Sequence, residues 1–74
     1  MKKGTFRRVS FTMEQASGYG RYIIDANYRG KHIRVSTTDS EAWDWLDDDS
    51  DKEKHRDALR HCYNKITAAY YNEL

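Results

Sequence analysis

Seventy-four residues bound this chain to one small domain with a marginal core, and its 38% apolar content leans on ten aromatic side chains to fill that core. A single cysteine, Cys62, excludes an internal disulfide framework. The net charge of +1 conceals a division: residues 1–37 carry eight Lys/Arg against two acids, residues 38–74 five against ten, so the halves stand at +6 and −5. Such a split reads first as mutual attraction of the halves on folding and second as a surface for a polyanion. The basic start MKKGTF leads into no apolar run and no segment has the character of a membrane span. A cytoplasmic protein of bacterial or phage type, with no membrane partner, is the expectation.

The first half alternates with period two. Val9, Phe11 and Met13 face one way against Arg8, Ser10, Thr12 and Glu14. Tyr22, Ile24, Ala26 and Tyr28 repeat the pattern, with Ile23 as an apolar exception on the other side, and Ile33 and Val35 repeat it again. Strands are expected over about residues 6–16, 20–29 and 31–38. A two-residue turn at Arg29-Gly30 sets Ala26 opposite Ile33 and Ile24 opposite Val35; a turn centred on Gly18-Tyr19 sets Met13 opposite Ile24, Phe11 opposite Ala26 and Val9 opposite Tyr28. Both registers gather the apolar residues on one face of a three-stranded antiparallel meander.

The second half changes to helical spacing. Thr38-Asp39-Ser40-Glu41 and Ser50-Asp51-Lys52-Glu53 read as capping boxes, with Thr38 and Ser50 as the N-caps. They predict a short helix over about residues 39–48 and a longer one over about 51–72. On the longer helix Leu59, Cys62, Tyr63, Ile66 and Tyr70 form the core-facing stripe, with Lys52, Arg56 and Arg60 toward solvent. The fold class is α+β, with both helices on one face of the sheet.

The acids of "WLDDDSDKEKHRD", residues 45–57, gather about two helix N-termini, where the helix dipole favours them. As a calcium loop starting at Asp47 the run fails: Lys52 stands where glycine is needed and Ala58 where glutamate is needed. His32, His55, His61 and Cys62 lack the paired short spacings of a structural zinc site. No glycine-rich phosphate loop, H-E-x-x-H or G-x-S-x-G occurs. Neither cofactor, metal nor enzymatic activity is expected.

Two binding surfaces remain. The favoured one is a protein-interaction surface of an accessory or regulatory factor, made of Trp43, Trp45, Asp47, Asp48 and Tyr71. Tryptophans two residues apart on a helix point about 200° from each other, so only one can enter the core. The alternative is nucleic-acid binding through the polar sheet face, by Arg8, Arg29, Arg34, His32, Asn27 and Lys31, with Lys2, Lys3 and Arg7 extending it. Arg8 opposite Arg29 would be a like-charge pair that a phosphate relieves.

The stretch "YRGKHIRVSTTDSEAWDWLDDDSDKEKH" resembles segments of short uncharacterised proteins of gut anaerobic bacteria and their mobile elements, a likeness that implies no activity and no residue roles. In its order of elements, "GRYIIDANYRGKHIRVSTTDSEAW" is similar to the DNA-binding modules of integrase arms and to AP2-type domains. That similarity implies a sheet that docks on DNA.

Overall fold

The computed structural model describes residues 1–16, 18 and 20–72. Strands β1 (Lys2–Phe6), β2 (Val9–Gln15), β3 (Tyr22–Tyr28) and β4 (Lys31–Thr37) precede helices α1 (Ser40–Trp45) and α2 (Lys52–Asn72). The strands form one antiparallel sheet in the order β1-β2-β3-β4, and the helices cover one of its faces.

The sheet therefore has four strands, not three. The first expected strand is broken at Arg7-Arg8, where φ values of 49° and 67° turn the chain back on itself. The residues before the turn pair from Lys2↔Met13 to Phe6↔Val9. β1 hides in the sequence because its inward positions are Lys2, Gly4 and Phe6, only one of them a large apolar side chain. Its turn also lacks the Asn-Gly or Asp-Gly that a two-residue hairpin usually carries.

The other registers follow the expected pairings: Phe11↔Ala26 and Met13↔Ile24 join β2 to β3, and Ile24↔Val35 and Ala26↔Ile33 join β3 to β4. The β2–β3 ladder begins at Phe11, so Val9 faces Phe6 across β1 rather than Tyr28. Of the turn expected at Gly18-Tyr19, Tyr19 lies outside the described residues; Ala16 N–H donates to the Arg21 carbonyl at 2.9 Å across it.

One apolar face from all the strands meets the helices. Phe11, Met13, Tyr22, Ile24, Ala26, Tyr28 and Ile33 are buried against Ala42, Leu46, Ala58, Cys62 and Ile66. The buried line of α2 is Ala58, Cys62 and Ile66, and Leu59, Tyr63 and Tyr70 flank it half-buried. The expected stripe is thus rotated toward Ala58, whose small side chain lies buried with Ala42 beside α1.

Both helix caps fall one residue later than expected. Asp39, not Thr38, caps α1, its Oδ1 accepting from Ala42 N–H at 3.1 Å. Asp51, not Ser50, caps α2 by accepting from the N–H groups of Glu53 and Lys54 at 3.1 and 3.2 Å. Aspartate is at least as good a cap as serine or threonine, and its charge adds the attraction of the helix dipole.

Candidate nucleic-acid interface

Alternate turns of a meander lie at the same end of the sheet, so Arg7-Arg8 and Arg29-Gly30 share one end. Both have the left-handed backbone that a two-residue hairpin needs, with Arg29 at φ 52° and Gly30 at 79°. Among the described residues, the non-glycine residues in this region are Arg7, Arg8 and Arg29. An L side chain there costs about 1–2 kcal/mol, which a glycine would avoid.

A chain of rings supports two of these arginines, Arg7 and Arg29. Phe6 meets Tyr63 edge-on at 5.5 Å, Tyr63 meets Tyr28 at 6.4 Å, Tyr28 meets Tyr70 at 5.0 Å and Tyr70 meets Tyr71 at 5.1 Å. The Arg7 guanidinium lies 5.8 Å from the Phe6 ring and 5.9 Å from Tyr63; that of Arg29 lies 5.6 Å from Tyr28 and 5.9 Å from Tyr71. Hydrogen bonding to Tyr71, joined by Tyr63 and the Arg29 charge, lowers the Tyr28 pKa, while the same bond raises that of Tyr71. No carboxylate of a described residue pairs with Arg7, Arg8 or Arg29. Lys31, at the start of β4, is exposed and already engaged in an interaction.

The open face of the sheet is chemically different. A shallow trough of about 590 Å³ runs across it, lined by Lys3, Thr5, Ser10, Thr12, Asp25, Asn27 and His32 among others. Arg34 Nη1 donates to both Asp25 oxygens at 3.0 and 3.2 Å, and its other terminal nitrogen stands 3.7 Å from Glu14. His32 Nε2 lies 3.2 Å from Asp25. Arg34 and His32 are thus drawn onto acids of their own sheet, leaving Asn27 exposed on a face of balanced charge.

The residues assigned to one nucleic-acid face accordingly divide in two. Arg8, Arg29 and Lys31 stand at the hairpin end with Arg7; Asn27, His32 and Arg34 stand on the open face. Arg8 and Arg29 occupy separate turns, so the expected like-charge cross-strand pair does not form. Nor does Lys2 extend the patch. Its ammonium is 3.1 Å from Asp47, donates to the Trp43 carbonyl at 2.6 Å and lies 4.2 Å from the Trp43 ring, at the opposite end of the molecule.

That opposite end employs most of the expected protein-interaction residues. Trp43 stacks on Tyr22 with centroids 5.0 Å apart and planes at 19°. The Trp45 ring lies 5.1 Å from the Lys54 ammonium, and its carbonyl accepts from His55 Nδ1 at 2.9 Å. Both tryptophans are half-buried, and the fully buried residues are Ala42 of α1 and Leu46 just after it instead. Asp48 accepts from Ser50 N–H at 3.0 Å, a bond that lowers its pKa. Tyr71 alone of the set is a large exposed side chain, 50% accessible, and it sits with the arginines.

A hydroxyl–imidazole–carboxylate arrangement, invisible in the sequence, joins β4 to both helices. Thr37 Oγ1 and His61 Nε2 share a 2.8 Å hydrogen bond, and His61 Nδ1 faces Asp39 Oδ2 at 3.5 Å. Thr37 is 4% accessible and its oxygen also accepts from Asp39 N–H at 3.2 Å, so the hydroxyl is committed to holding the strand end against the α1 cap. The signal for it was Thr37 standing in phase with Ile33 and Val35, a polar residue at an inward position.

Among the described residues, no group of three or more His, Cys, Asp or Glu is placed to hold a metal ion, and no helix is long and apolar enough to cross a membrane. No protein-family model, curated protein or solved structure matches the chain.

Proposed function

We propose that this chain is a small, cytoplasmic, non-catalytic binding module that grips nucleic acid by its phosphates, through the hairpin end of the sheet. The observation that carries the reading is that Arg7, Arg8 and Arg29 lie in two left-handed turns at one end of the sheet, none of them paired to a described carboxylate. Positions where a glycine would cost less hold a guanidinium instead, and backbone strain of this kind collects at functional sites. Guanidinium is the side chain best matched to phosphate oxygens. The acids lie mainly at the other end, about α1 and the start of α2, so the molecule presents one pole to a polyanion.

The test is a titration of labelled duplex and single-stranded oligonucleotides at low and moderate salt. Affinity should fall steeply with salt, because each neutralised phosphate releases counterions. Arg7→Ala, Arg8→Ala and Arg29→Ala should each weaken binding to all sequences alike and lower the salt slope by about one. No binding of either form at low salt would end the reading. A second reading, a protein partner, draws on the uncovered sheet face, with its trough of about 590 Å³ and its charge-balanced lining. It would then take precedence.

A further inference from the structure

The exposed aromatic at the basic pole narrows the class of nucleic acid. Among the described residues the large hydrophobic side chains left exposed are Met1 and Tyr71. Tyr71 is on the last turn of α2, and its ring is held from two directions. Tyr70 packs against it at 87°, and Tyr70 in turn packs against the buried Tyr28; the Arg29 guanidinium is 5.9 Å from its centroid. An aromatic ring that is half open to water yet fixed by its neighbours loses little freedom when a flat partner settles on it.

Resting on the reading that the hairpin arginines hold phosphate, we propose that Tyr71 is a stacking platform for an unpaired base, and that the module therefore prefers single-stranded nucleic acid to duplex. Bases have π-faces whatever their identity, so stacking on Tyr71 requires no particular sequence. In a duplex those faces are already occupied by neighbouring bases, and only the phosphates remain to be gripped. Single strands receive both contributions. The arrangement combines charge that tracks the backbone with a ring that takes a base, the pairing by which sequence-tolerant single-strand binders work.

The experiment compares a labelled single strand of mixed sequence, as DNA and as RNA, with its duplex at equal salt, for the wild-type chain and for Tyr71→Ala, Tyr71→Phe and Tyr71→Trp. Circular dichroism confirms that each variant is folded, which the exposure of Tyr71 favours. The expected result is tighter binding of the single strand by the wild type. Tyr71→Ala should weaken single-strand binding about tenfold or more and duplex binding by a distinctly smaller factor, through the ring contact that Arg29 loses, while the two aromatic variants retain the preference. Equal affinity for the two forms, or single-strand binding indifferent to Tyr71→Ala, overturns the platform and leaves the phosphate grip standing. No binding of either form by the wild type removes the phosphate grip itself, and the platform with it.

Discussion

Leu59 lies so close over the backbone of Gly4 that a β-carbon on the glycine would stand 2.8 Å from Leu59 Cδ2. The Phe11 ring would be equally near, at 2.8 Å. Leu59 is half-buried and could yield; Phe11 is buried in the core and could not do so cheaply. Gly4→Ala should therefore destabilise the fold by about 1–3 kcal/mol through overpacking. Denaturant unfolding of Gly4→Ala alone and with Leu59→Ala checks this. The double variant should lose less than the sum of the single losses, because the second change vacates the space the first requires.

The centre of α2 makes a graded prediction. Ile66 is fully buried, whereas Leu59 is at the margin. Ile66→Ala should cost about 2–5 kcal/mol, a large share of the stability of so small a domain, and Leu59→Ala distinctly less. Equal thermal midpoints for the two variants would contradict the observed rotation of the helix.

Cap positions can be tested pairwise. Asp39→Ala and Asp51→Ala should each lose about 1 kcal/mol, and Thr38→Ala and Ser50→Ala should remain within about 0.5 kcal/mol of the parent. Reversal of that order in equilibrium unfolding would restore the capping boxes to their sequence positions.

Arg8 sets stability against binding. Arg8→Gly should raise stability by roughly 0.5–1 kcal/mol, as relief of left-handed strain outweighs the added freedom of the unfolded chain. The same change should weaken affinity for single strands and flatten its salt dependence. Thermal melts and titrations on one preparation read both effects, and a variant that loses stability would deny that the turn is strained.

Cys62 predicts the alkaline limit. Burial, with a smaller contribution from the charge of Asp39, pushes its thiol from 9.0 up to about 12. A raised folded-state value means that the unfolded chain releases this proton first. The contribution is fully present below pH about 9 and is lost progressively as pH rises toward about 12. Unfolding free energies measured from pH 8 upward should fall more steeply for the wild type than for Cys62→Ala. In the folded protein at neutral pH, the thiol should also react with a maleimide only as fast as the core opens.

The legible and the hidden parts of the fold differ in their local chemistry. The β3–β4 register was legible because Ile24, Ala26, Ile33 and Val35 alternate on either side of a glycine turn. β1 was not, since the glycine signal is replaced by arginine at Arg7 and Arg8, and since Gly4 leaves room for a helix rather than contributing a side chain. The open face is less basic than its Arg34 and His32 suggest. The register already placed Arg34 opposite Asp25, and opposite charges at that distance bind each other before they bind a ligand. The pole where Arg29 meets Tyr71 is not legible in the sequence because a hairpin tip and a helix end far apart along the chain come together only when α2 folds back along the sheet.

Every strand of the meander pairs with its neighbour in sequence, yet Phe6 finds Tyr63, and Gly4 finds Leu59, only across nearly the whole chain. Each hairpin costs only a short loop closure, so the strands can zip together in order as they are synthesised. Their apolar face nevertheless stays wet until the final helix arrives. The sheet is thus translated before the element that dries it, and for that interval the nascent chain offers Phe11, Ile24 and Ile33 to any apolar surface nearby. Slowing translation ahead of α2 would lengthen the interval in which aggregation competes with folding.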